Sequence, residues 1–426
     1  MGAEIPGIVK LKCSVMNYDW GKPRGESTVA RLYSRNAAAE KVLDDGEDVP
    51  YAELWMGTHD SGPSYVVVDA FSGQKLKDWI ERNPSSVGDK ALKKWGSTLP
   101  FLFKVLSVAK ALSLQAHPDK NLAEILHKRH PEVYKDDNHK PEMALAITDF
   151  EALCGFVDLQ ELKAVVLSVP EISEIIGNSL ADQVLQLRRE DEENKLKNIL
   201  KSLFTELMSA DKAKIFQAIQ ALTARLQSKR EVEGLTEKEE LVLRLEKQYP
   251  GDVGVLAGFL FNHVKLRPGE ALYLGANEPH AYVHGECVEC MATSDNVVRA
   301  GLTPKYRDVE TLCSMLTYKQ GRPEILRGLA WNEYTTKYAP PFDEFEVDRC
   351  SIPGEKTTVF PAVSGPSVFV VTGGEGRMRT AWCEVCVGEG DALFAAAHVE
   401  ITVEATTNSG LEMYRAGING RFLEKL

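Results

Sequence analysis

A long block of helical periodicity interrupts an otherwise β-rich chain, and this feature constrains the fold more than any other. Between residues 159 and 249 the sequence is dominated by Glu, Lys, Leu and Ala. Apolar residues recur there at spacings of three and four, the period of an amphipathic helix. The clearest stripes are Leu196, Ile199, Leu200, Leu203 and Leu207, then Ile215, Ile219, Leu222 and Leu226. The pattern predicts a bundle of helices.

The segments on both sides of this block are typical of β-structure. On the N-terminal side, turn residues at 58–63 precede the strand-like run at 65–68. On the C-terminal side, a predicted turn at 266–270 precedes a predicted strand at 271–274. From about residue 340 onwards, strands follow at the spacing of a small sandwich or barrel. The helical block is therefore predicted to be inserted into a β domain.

The chain length of 426 residues favours several domains, because a single core rarely grows to that size. We predict a mainly β protein with an inserted α-helical domain. The first β domain would comprise residues 1–157 and 250–335, the helical domain residues 158–249, and a second β domain residues 336–426.

The overall charge limits the kind of partner. A formal net charge of -12 at pH 7 argues against a nucleic-acid partner and against an anionic membrane surface. The N-terminus lacks the pattern of a secretory signal, and no apolar run reaches the roughly 20 residues that span a bilayer. We therefore expect a cytoplasmic protein, in which a small anionic ligand would need a local cationic patch.

Two pairs of cysteines, Cys287 with Cys290 and Cys383 with Cys386, have the C-x-x-C spacing of four-thiolate zinc sites. Neither pair has the turn glycine and polar knuckle that such sites use. The eight cysteines of the chain are otherwise scattered, as in proteins with reduced thiols. Buried free cysteine is the favoured interpretation.

Polar residues at alternate positions mark two predicted strands. In a strand over residues 112–117, Ser113, Gln115 and His117 share one face, and further along the chain Lys140 and Glu142 share another. An amide oxygen, an imidazole nitrogen and a carboxylate are plausible ligands for one cation. Each residue alone is more often simply hydrogen-bonded, so the metal hypothesis depends on the set.

A third group of polar residues follows the helical block. A turn at 275–279 leads to His280, and Tyr282 and His284 are expected on the same strand face. Spacing alone does not choose between the two histidines as a ligand. Five other histidines have no further candidate ligands near them in the sequence and are interpreted as structural or exposed: His59, His127, His130, His263 and His398.

Charged residues continue beyond this strand. Glu289 is followed by the polar segment 294–298, then by Arg299 and Lys305. Solvated loop charges and a simple turn would also explain these residues.

Six short motifs in this order span most of the chain. They are YDWGK at 18–22, ELWMGTH at 53–59, LQAHPDK at 114–120, HKPEM at 139–143, EPHAY at 278–282 and SDNVVRAG at 294–301. Together they resemble the type I mannose-6-phosphate isomerases, which are zinc enzymes of the cupin superfamily. The joint occurrence of the motifs is specific, although each motif alone is weak.

The resemblance implies a cupin (jelly-roll) catalytic domain and a C-terminal cupin-like domain without metal. It implies one zinc ion on Gln115, His117, Glu142 and His280, and it matches Arg299 to the active-site arginine. The implied reaction interconverts D-mannose 6-phosphate and D-fructose 6-phosphate through a zinc-assisted enediolate proton transfer. This reaction would supply mannose 6-phosphate for GDP-mannose synthesis.

The proton-transfer base is a separate hypothesis. Glu289 is favoured because it lies between the His280 turn and the Arg299 loop, with Lys140, His284 or a metal-bound water as alternatives. Candidates for contacts with the phosphosugar are Ser113, Lys104, Lys140 and Lys305.

Two other functions on the same fold stay open. A cupin oxygenase would use ferrous iron with open coordination positions, and a non-catalytic sugar-binding cupin would keep the pocket without the chemistry. We expect a monomer with a small phosphosugar substrate.

Overall fold

The structure is a computed structural model that describes residues 7–36, 49–67 and 73–424. The strands before the helical insertion are β1 (Ile8–Lys12), β2 (Ser14–Met16), β3 (Lys22–Pro23), β4 (Pro50–Tyr51), β5 (Glu53–Met56), β6 (Tyr65–Val67), β7 (Gln74–Lys75), β8 (Phe101–Val108), β9 (Leu114–Ala116), β10 (Glu142–Ala146) and β11 (Phe150–Phe156). The strands after it are β12 (Phe261–Leu266), β13 (Ala271–Leu274), β14 (His280–Ala292), β15 (Val298–Gly301), β16 (Ile325–Leu326), β17 (Leu329–Ala330), β18 (Thr335–Tyr338), β19 (Glu346–Ile352), β20 (Thr357–Phe360), β21 (Ser367–Arg379), β22 (Glu384–Gly388), β23 (Ala392–Ala395), β24 (Ile401–Ala405) and β25 (Leu411–Gly417).

The helices fall into three groups along the chain. The first group is α1 (Thr28–Tyr33), α2 (Leu76–Arg82), α3 (Asp89–Trp95) and α4 (Lys120–Arg129). The insertion contains α5 (Leu159–Ser168), α6 (Pro170–Ile176), α7 (Asn178–Gln186), α8 (Glu193–Ser209), α9 (Lys212–Val232) and α10 (Glu237–Gln248). The last group is α11 (Val253–Ala257), α12 (Val309–Met315) and α13 (Gly420–Leu423), and short 3-10 turns lie at Arg24–Glu26, Pro84–Val87 and Gly258–Leu260.

The predicted fold class, mainly β with an inserted α-helical domain, is confirmed. Local signals define where the insertion starts and where its last helix begins: the Asp158 side chain caps α5, and Thr236 with Glu239 forms a capping box at α10. Most residues of the two predicted apolar stripes on α8 and α9 are buried in one core with the neighbouring strands. In the described ranges, we find no helix with the length and apolar character needed to cross a membrane.

The first of two large antiparallel sheets is organised around the strand β14. Its main path runs β16-β13-β10-β14-β8-β5-β2, and β9, β11, β12 and β15 join it from the side. The strand β14 is 13 residues long and pairs with β8, β9, β10 and β11. Strands from both sides of the helical insertion therefore have to meet before this sheet is complete.

The second large sheet joins the two ends of the chain. Its centre runs β19-β25-β21-β23-β1, with Ile8 of β1 opposite Ala395 of β23. The strand β1 falls in the segment predicted for the first β domain, yet it hydrogen-bonds with the C-terminal segment. A shared apolar core, including Leu11, Val105 and Val347, packs between the two sheets. The predicted domain limits themselves stay a prediction.

The C-x-x-C pair on β14 is divided between two cores. Cys287 packs in one apolar cluster and Cys290 in another, and both thiols are free and buried. A spacing of three along a strand directs the two side chains to opposite faces. This geometry supports the interpretation of buried free cysteines for this pair. In the other pair both thiols are free as well, but burial is not as predicted, since Cys383 is half-buried and Cys386 is exposed.

Candidate metal centre and active-site cavity

Three neighbouring strands bring the first polar residues together. In the ladder, Gln115 of β9 lies opposite His280 at the start of β14 and opposite Arg299 of β15. The Ser113 hydroxyl donates to Oε1 of Gln115 at 2.9 Å. Ser113 and Gln115 line one cavity, as the predicted alternation requires, but Leu112, which was expected on the opposite face, lines it as well.

The cluster of His117, Glu142 and His280 lies next to Gln115 and is almost completely buried. Nε2 of His117 lies 3.4 Å from Oε1 of Glu142, and Nε2 of His280 lies 3.3 Å from Oε2 of the same carboxylate. Neither Nε2 atom has a hydrogen-bond partner in the described part of the chain. Two unpartnered nitrogens around one carboxylate form a site with room for a cation.

The tautomers of both histidines follow from their second nitrogens. Nδ1 of His117 donates to the carbonyl oxygen of Asn296 at 2.7 Å, and Nδ1 of His280 donates to that of Glu278 at 2.9 Å. A carbonyl oxygen only accepts, so the proton of each neutral ring lies on Nδ1. Each Nε2 therefore directs a lone pair towards Glu142, as metal-ligating histidines do.

The electrostatics of the cluster fit a divalent metal. Burial lowers the pKa of His117 to about 4, so its ring is neutral near pH 7. Burial favours the neutral acid at Glu142, but its cationic neighbours, the Lys140 ammonium among them, outweigh it and hold the pKa of this carboxyl well below its ordinary value. The two imidazole lone pairs face a negatively charged carboxylate and are repelled by it unless a cation lies between them. The nitrogen and oxygen donors, with Gln115 opposite His280 in the ladder, suit zinc.

A cavity of about 310 Å³ opens beside this cluster. Across it, the buried Lys104 ammonium lies 3.0 Å from Oε2 of Glu289 and 3.2 Å from Oε2 of Glu53. The register between β8 and β14 produces this contact, since Lys104 and Glu289 are direct cross-strand partners. The predicted residues Lys104 and Glu289 are thus brought together although the sequence separates them widely.

The two partners of this pair have shifted pKa values of different origin. Burial raises the pKa of Glu289, and the carboxylates of Glu142 and Glu53 raise it further, while Lys104 acts in the opposite direction. Burial disfavours the charged form of Lys104, but Glu289, Glu53 and Glu142 outweigh it and hold its pKa above the ordinary value. A carboxyl with a raised pKa in a cavity is suited to proton transfer.

The other predicted cations border the same cavity. The Lys140 ammonium lies 3.2 Å from Oε1 of Glu142. Arg299 and Lys305 line the cavity and an adjoining chamber of about 400 Å³, and neither forms an ion pair within the described residues. Burial lowers the pKa of Arg299. Two uncompensated cations at the junction of the two spaces favour an anionic group there.

Two histidines differ from the sequence-based expectation. His284 is exposed and lies opposite Glu151, because an irregularity in the pairing of β11 with β14 shifts the register after Tyr282. His59, which was interpreted as structural or exposed, lines the cavity with Nε2 3.3 Å from Oδ1 of Asp295.

Several cavity residues were not predicted as site residues. Glu53 contacts Lys104, the Trp55 ring lies 4.9 Å from the Lys104 ammonium, and the buried Tyr282 hydroxyl has no hydrogen-bond partner in the ranges that the structure covers. Glu53, Trp55 and His59 belong to one of the motifs. The positions of Glu53 and Trp55 relative to Lys104 arise from the pairing of β5 with β8, and the contact of His59 with Asp295 joins two distant loop residues. No local pattern could reveal these contacts.

The fold and the site together define a mainly β protein with a helical insertion and an inward-facing His and Glu metal centre. The chain matches "Phosphomannose isomerase type I, catalytic domain" over residues 8–159 and "Phosphomannose isomerase type I, helical insertion domain" over residues 175–261. The chain belongs to the type I phosphomannose isomerase family.

Similar proteins cover nearly the whole chain. Mannose-6-phosphate isomerase 2 of Arabidopsis thaliana is 54% identical over 98% of this chain and 95% of its own length. The human mannose-6-phosphate isomerase is 39% identical over 96% of this chain and 98% of its own length. A crystal structure of the Salmonella typhimurium enzyme bound to fructose 6-phosphate and zinc superimposes with a TM-score of 0.80 at 28% identity, covering 97% of this chain and 100% of that chain.

Proposed function

We propose that this protein interconverts D-mannose 6-phosphate and D-fructose 6-phosphate, with one zinc ion held by Gln115, His117, Glu142 and His280. One observation carries the proposal: two buried, unpartnered Nε2 atoms converge on the Glu142 carboxylate beside the cavity. The relatives named mannose-6-phosphate isomerase, and the Salmonella typhimurium structure with substrate and zinc, support the reaction and the metal.

The reaction moves a carbonyl group between C1 and C2 of the open-chain sugar. A proton has to leave one carbon, the enediolate charge has to be stabilised, and a proton has to return to the neighbouring carbon. We assign the proton transfer to Glu289. Its raised pKa lets the carboxyl release and rebind a proton at a pH nearer neutrality than an ordinary glutamate would.

The charge that develops on the sugar oxygens needs positive groups. When bound, zinc supplies Lewis-acid polarisation of these oxygens. Arg299 adds a second positive charge, and its place opposite Gln115 in the ladder brings it next to the ligand set. Partial burial strengthens the field of its guanidinium.

Among the residues that the structure describes, Arg299 and Lys305 are the uncompensated cations of the cavity, and the phosphate is the part of the substrate best suited to such charges. We assign the phosphate to Lys305, with Ser113 as a hydrogen-bond donor. Lys104 and Lys140 contact the sugar hydroxyls. Each of these two lysines is already paired with a carboxylate. Lys104 lies 3.0 Å from Glu289, and Lys140 lies 3.2 Å from Glu142. A hydroxyl group can share such a paired ammonium without the need for a free charge.

The wider setting is proposed on the same basis. The protein acts as a cytoplasmic monomer and supplies mannose 6-phosphate for GDP-mannose synthesis, with no nucleic-acid or membrane partner. Its catalytic unit comprises residues 1–157 and 250–335, the inserted helices residues 158–249, and the metal-free C-terminal unit residues 336–426. Light scattering during gel filtration measures the molar mass and tests whether the protein is a monomer.

The function is tested by a coupled assay of mannose 6-phosphate conversion with the complete chain. We expect chelated protein to be inactive and zinc to restore it, His280→Ala to lose bound zinc, and Arg299→Ala to lower kcat by about 100-fold or more. His130→Ala is the matched control, because the His130 side chain is exposed and its Nδ1 lies 3.6 Å from Oε1 of Glu132. Full activity in metal-free protein, or iron content with oxygen uptake, contradicts the proposal.

A further inference from the structure

The carbonyl oxygen that orients His117 belongs to a segment without regular secondary structure. Residues 294–297 lie between β14 and β15 and form no strand ladder. Asn296 is completely buried, and its carbonyl oxygen accepts from Nδ1 of His117 at 2.7 Å. Since no ladder holds this carbonyl, other contacts have to set its position.

Asp136 supplies most of those contacts from a different part of the chain, and the Asn138 carbonyl oxygen accepts two more, from the Ser294 hydroxyl at 3.2 Å and the Asn296 amide at 2.9 Å. The Asp136 carboxylate accepts from the Ser294 hydroxyl at 2.7 Å, the Asp295 backbone N–H at 2.7 Å and the Asn296 side-chain amide at 3.1 Å. Its carbonyl oxygen accepts from the same amide at 2.7 Å. Three consecutive residues are thus attached to one aspartate.

The loop of Asp136 is itself well anchored. The backbone N–H of Asn138 donates to the Asp136 carboxylate at 3.0 Å, and the Asn138 side chain donates to the carbonyl oxygen of Thr293 at 3.0 Å. Tyr134 is buried and its hydroxyl donates to Asp308 at 2.8 Å. The loop that leads into β10, and therefore to Glu142, is joined to the loop that orients His117.

We propose that Asp136 is a positioning residue for the metal centre: it clamps residues 294–296 so that the Asn296 carbonyl holds His117 in the Nδ1–H tautomer. The inference rests on the proposed zinc site and adds to it a residue outside the ligand set. Groups that orient ligating histidines typically change metal affinity by about 10- to 100-fold when removed. Because Asp136 acts through Asn296, we expect an effect of about tenfold.

The adjacent aspartate provides a matched control. Asp137 carries the same charge one residue away, but its carboxylate lies 3.3 Å from the exposed Lys120 ammonium and forms no hydrogen bond with residues 294–296, all of which the structure describes. Asp136→Asn keeps the size of the side chain and removes one acceptor oxygen of the clamp. Asp137→Asn makes the same chemical change without touching it.

The experiment compares wild type, Asp136→Asn and Asp137→Asn by zinc competition with a chromophoric chelator. We expect Asp136→Asn to bind zinc about tenfold more weakly and Asp137→Asn to match wild type. The second readout is the ¹⁵N spectrum of the His117 ring in metal-free protein. We expect wild type to show a single Nδ1–H tautomer and Asp136→Asn to show a mixture of tautomers. Near-UV circular dichroism monitors folding of each variant.

The outcomes separate this inference from the proposed function. Wild-type protein that binds no zinc or does not isomerise the sugar overturns the proposed function. Asp136→Asn with unchanged zinc affinity and an unchanged His117 tautomer, beside an active wild type, overturns only the positioning role. If Asp136→Asn does not fold, Ser294→Ala removes the bond to Asp136 together with the bond that the Ser294 hydroxyl accepts from the Asn296 backbone N–H at 3.1 Å. Unchanged zinc affinity and tautomer in that variant overturn the role as well.

Discussion

The Lys104 ammonium lies 3.0 Å from the Glu289 carboxylate, although 185 positions of sequence separate the two residues. They meet because β8 and β14 are paired with Lys104 opposite Glu289. The lysine lowers the pKa of a carboxyl that burial raises. The pair therefore controls at which pH Glu289 can accept a proton.

Lys104→Met is expected to move the acid limb of the pH profile to higher pH. Without the ammonium, the pKa of Glu289 rises further, and the carboxylate form needed to accept a proton is populated only at higher pH. The profile of kcat/KM against pH measures this shift. Lys195→Met, which removes only an exposed helix pair with Asp191, serves as the control. A limb that stays in place or moves to lower pH contradicts the assignment.

Glu289→Gln tests the base itself. An amide of the same size cannot take up the proton, so we expect kcat to fall by about 10²- to 10⁴-fold. Zinc content should be unchanged, because Glu289 is outside the proposed ligand set. Steady-state kinetics and metal analysis on the same preparation check both statements. A variant with near-normal kcat would transfer the role to Lys140 or to a metal-bound water.

Zinc is expected to stabilise the folded chain. A ligand that binds only the folded state adds about 4 kcal/mol at a thousandfold excess over Kd, so thermal unfolding should shift upward when zinc is added to chelated protein. His280→Ala should show little of this shift because it lacks one Nε2 donor. Scanning calorimetry with and without zinc makes the measurement. An equal shift in both proteins would indicate that zinc binds elsewhere.

An acid-sensitive contact joins the helical insertion to the β domain. Glu151 of β11 contacts His263 of β12 at 2.8 Å and also Arg244 of α10. Burial opposes ionisation, but the hydrogen bonds from His263 and Arg244 outweigh it and lower the pKa of Glu151 to about 2. The stabilisation is fully present above the ordinary pKa near 4.5 and is lost as the pH falls towards about 2.

Glu151→Gln should therefore cost stability near neutral pH and less in acid. We expect the difference in unfolding free energy between wild type and variant to shrink by about 1 kcal/mol between pH 7 and pH 3.5. Urea unfolding of chelated protein at the two pH values checks this, since chelation removes the separate effect of zinc. A difference that is constant or grows in acid would contradict the lowered pKa.

A buried ion pair occupies the second large sheet. Arg415 of β25 donates to Oδ2 of Asp348 at 2.7 Å and to the Ser367 hydroxyl at 2.8 Å, and Asp348 is fully buried. Arg415→Ala leaves that carboxylate with the more distant Lys337 ammonium, at 3.8 Å, and is expected to destabilise the fold by about 3–5 kcal/mol. Arg415→Met with Asp348→Leu should recover most of the loss, because it removes both charges. Urea unfolding compares the single and double variants.

Local sequence patterns predicted a large part of the fold and grouped several residues that line the cavity. The helical period of residues 159–249 and the strand at Ala271–Leu274 are found where they were expected. Alternation around β9 and β10 grouped Gln115 with Ser113, and Glu142 with Lys140, and all four side chains line the cavity. These predictions depend only on where neighbouring side chains point along one element, which backbone geometry sets.

Other features were outside the reach of such patterns. Alternation placed His284 beside His280, whereas a register irregularity leaves His284 exposed. The contact of His59 with Asp295 and the pairing of β1 with β23 join segments that are far apart in the chain. No local signal encodes which distant strands will pair or in which register.

The sequence by itself determined the secondary-structure periods, the helical insertion and the donor types available for a metal, because these follow from residue chemistry and local geometry. Only the tertiary structure decided that Lys104 would meet Glu289 and that Asp136 would hold the segment that orients His117. Each of these contacts requires closure of the sheets around β14, and the energy of that closure comes from burying side chains contributed by the whole chain.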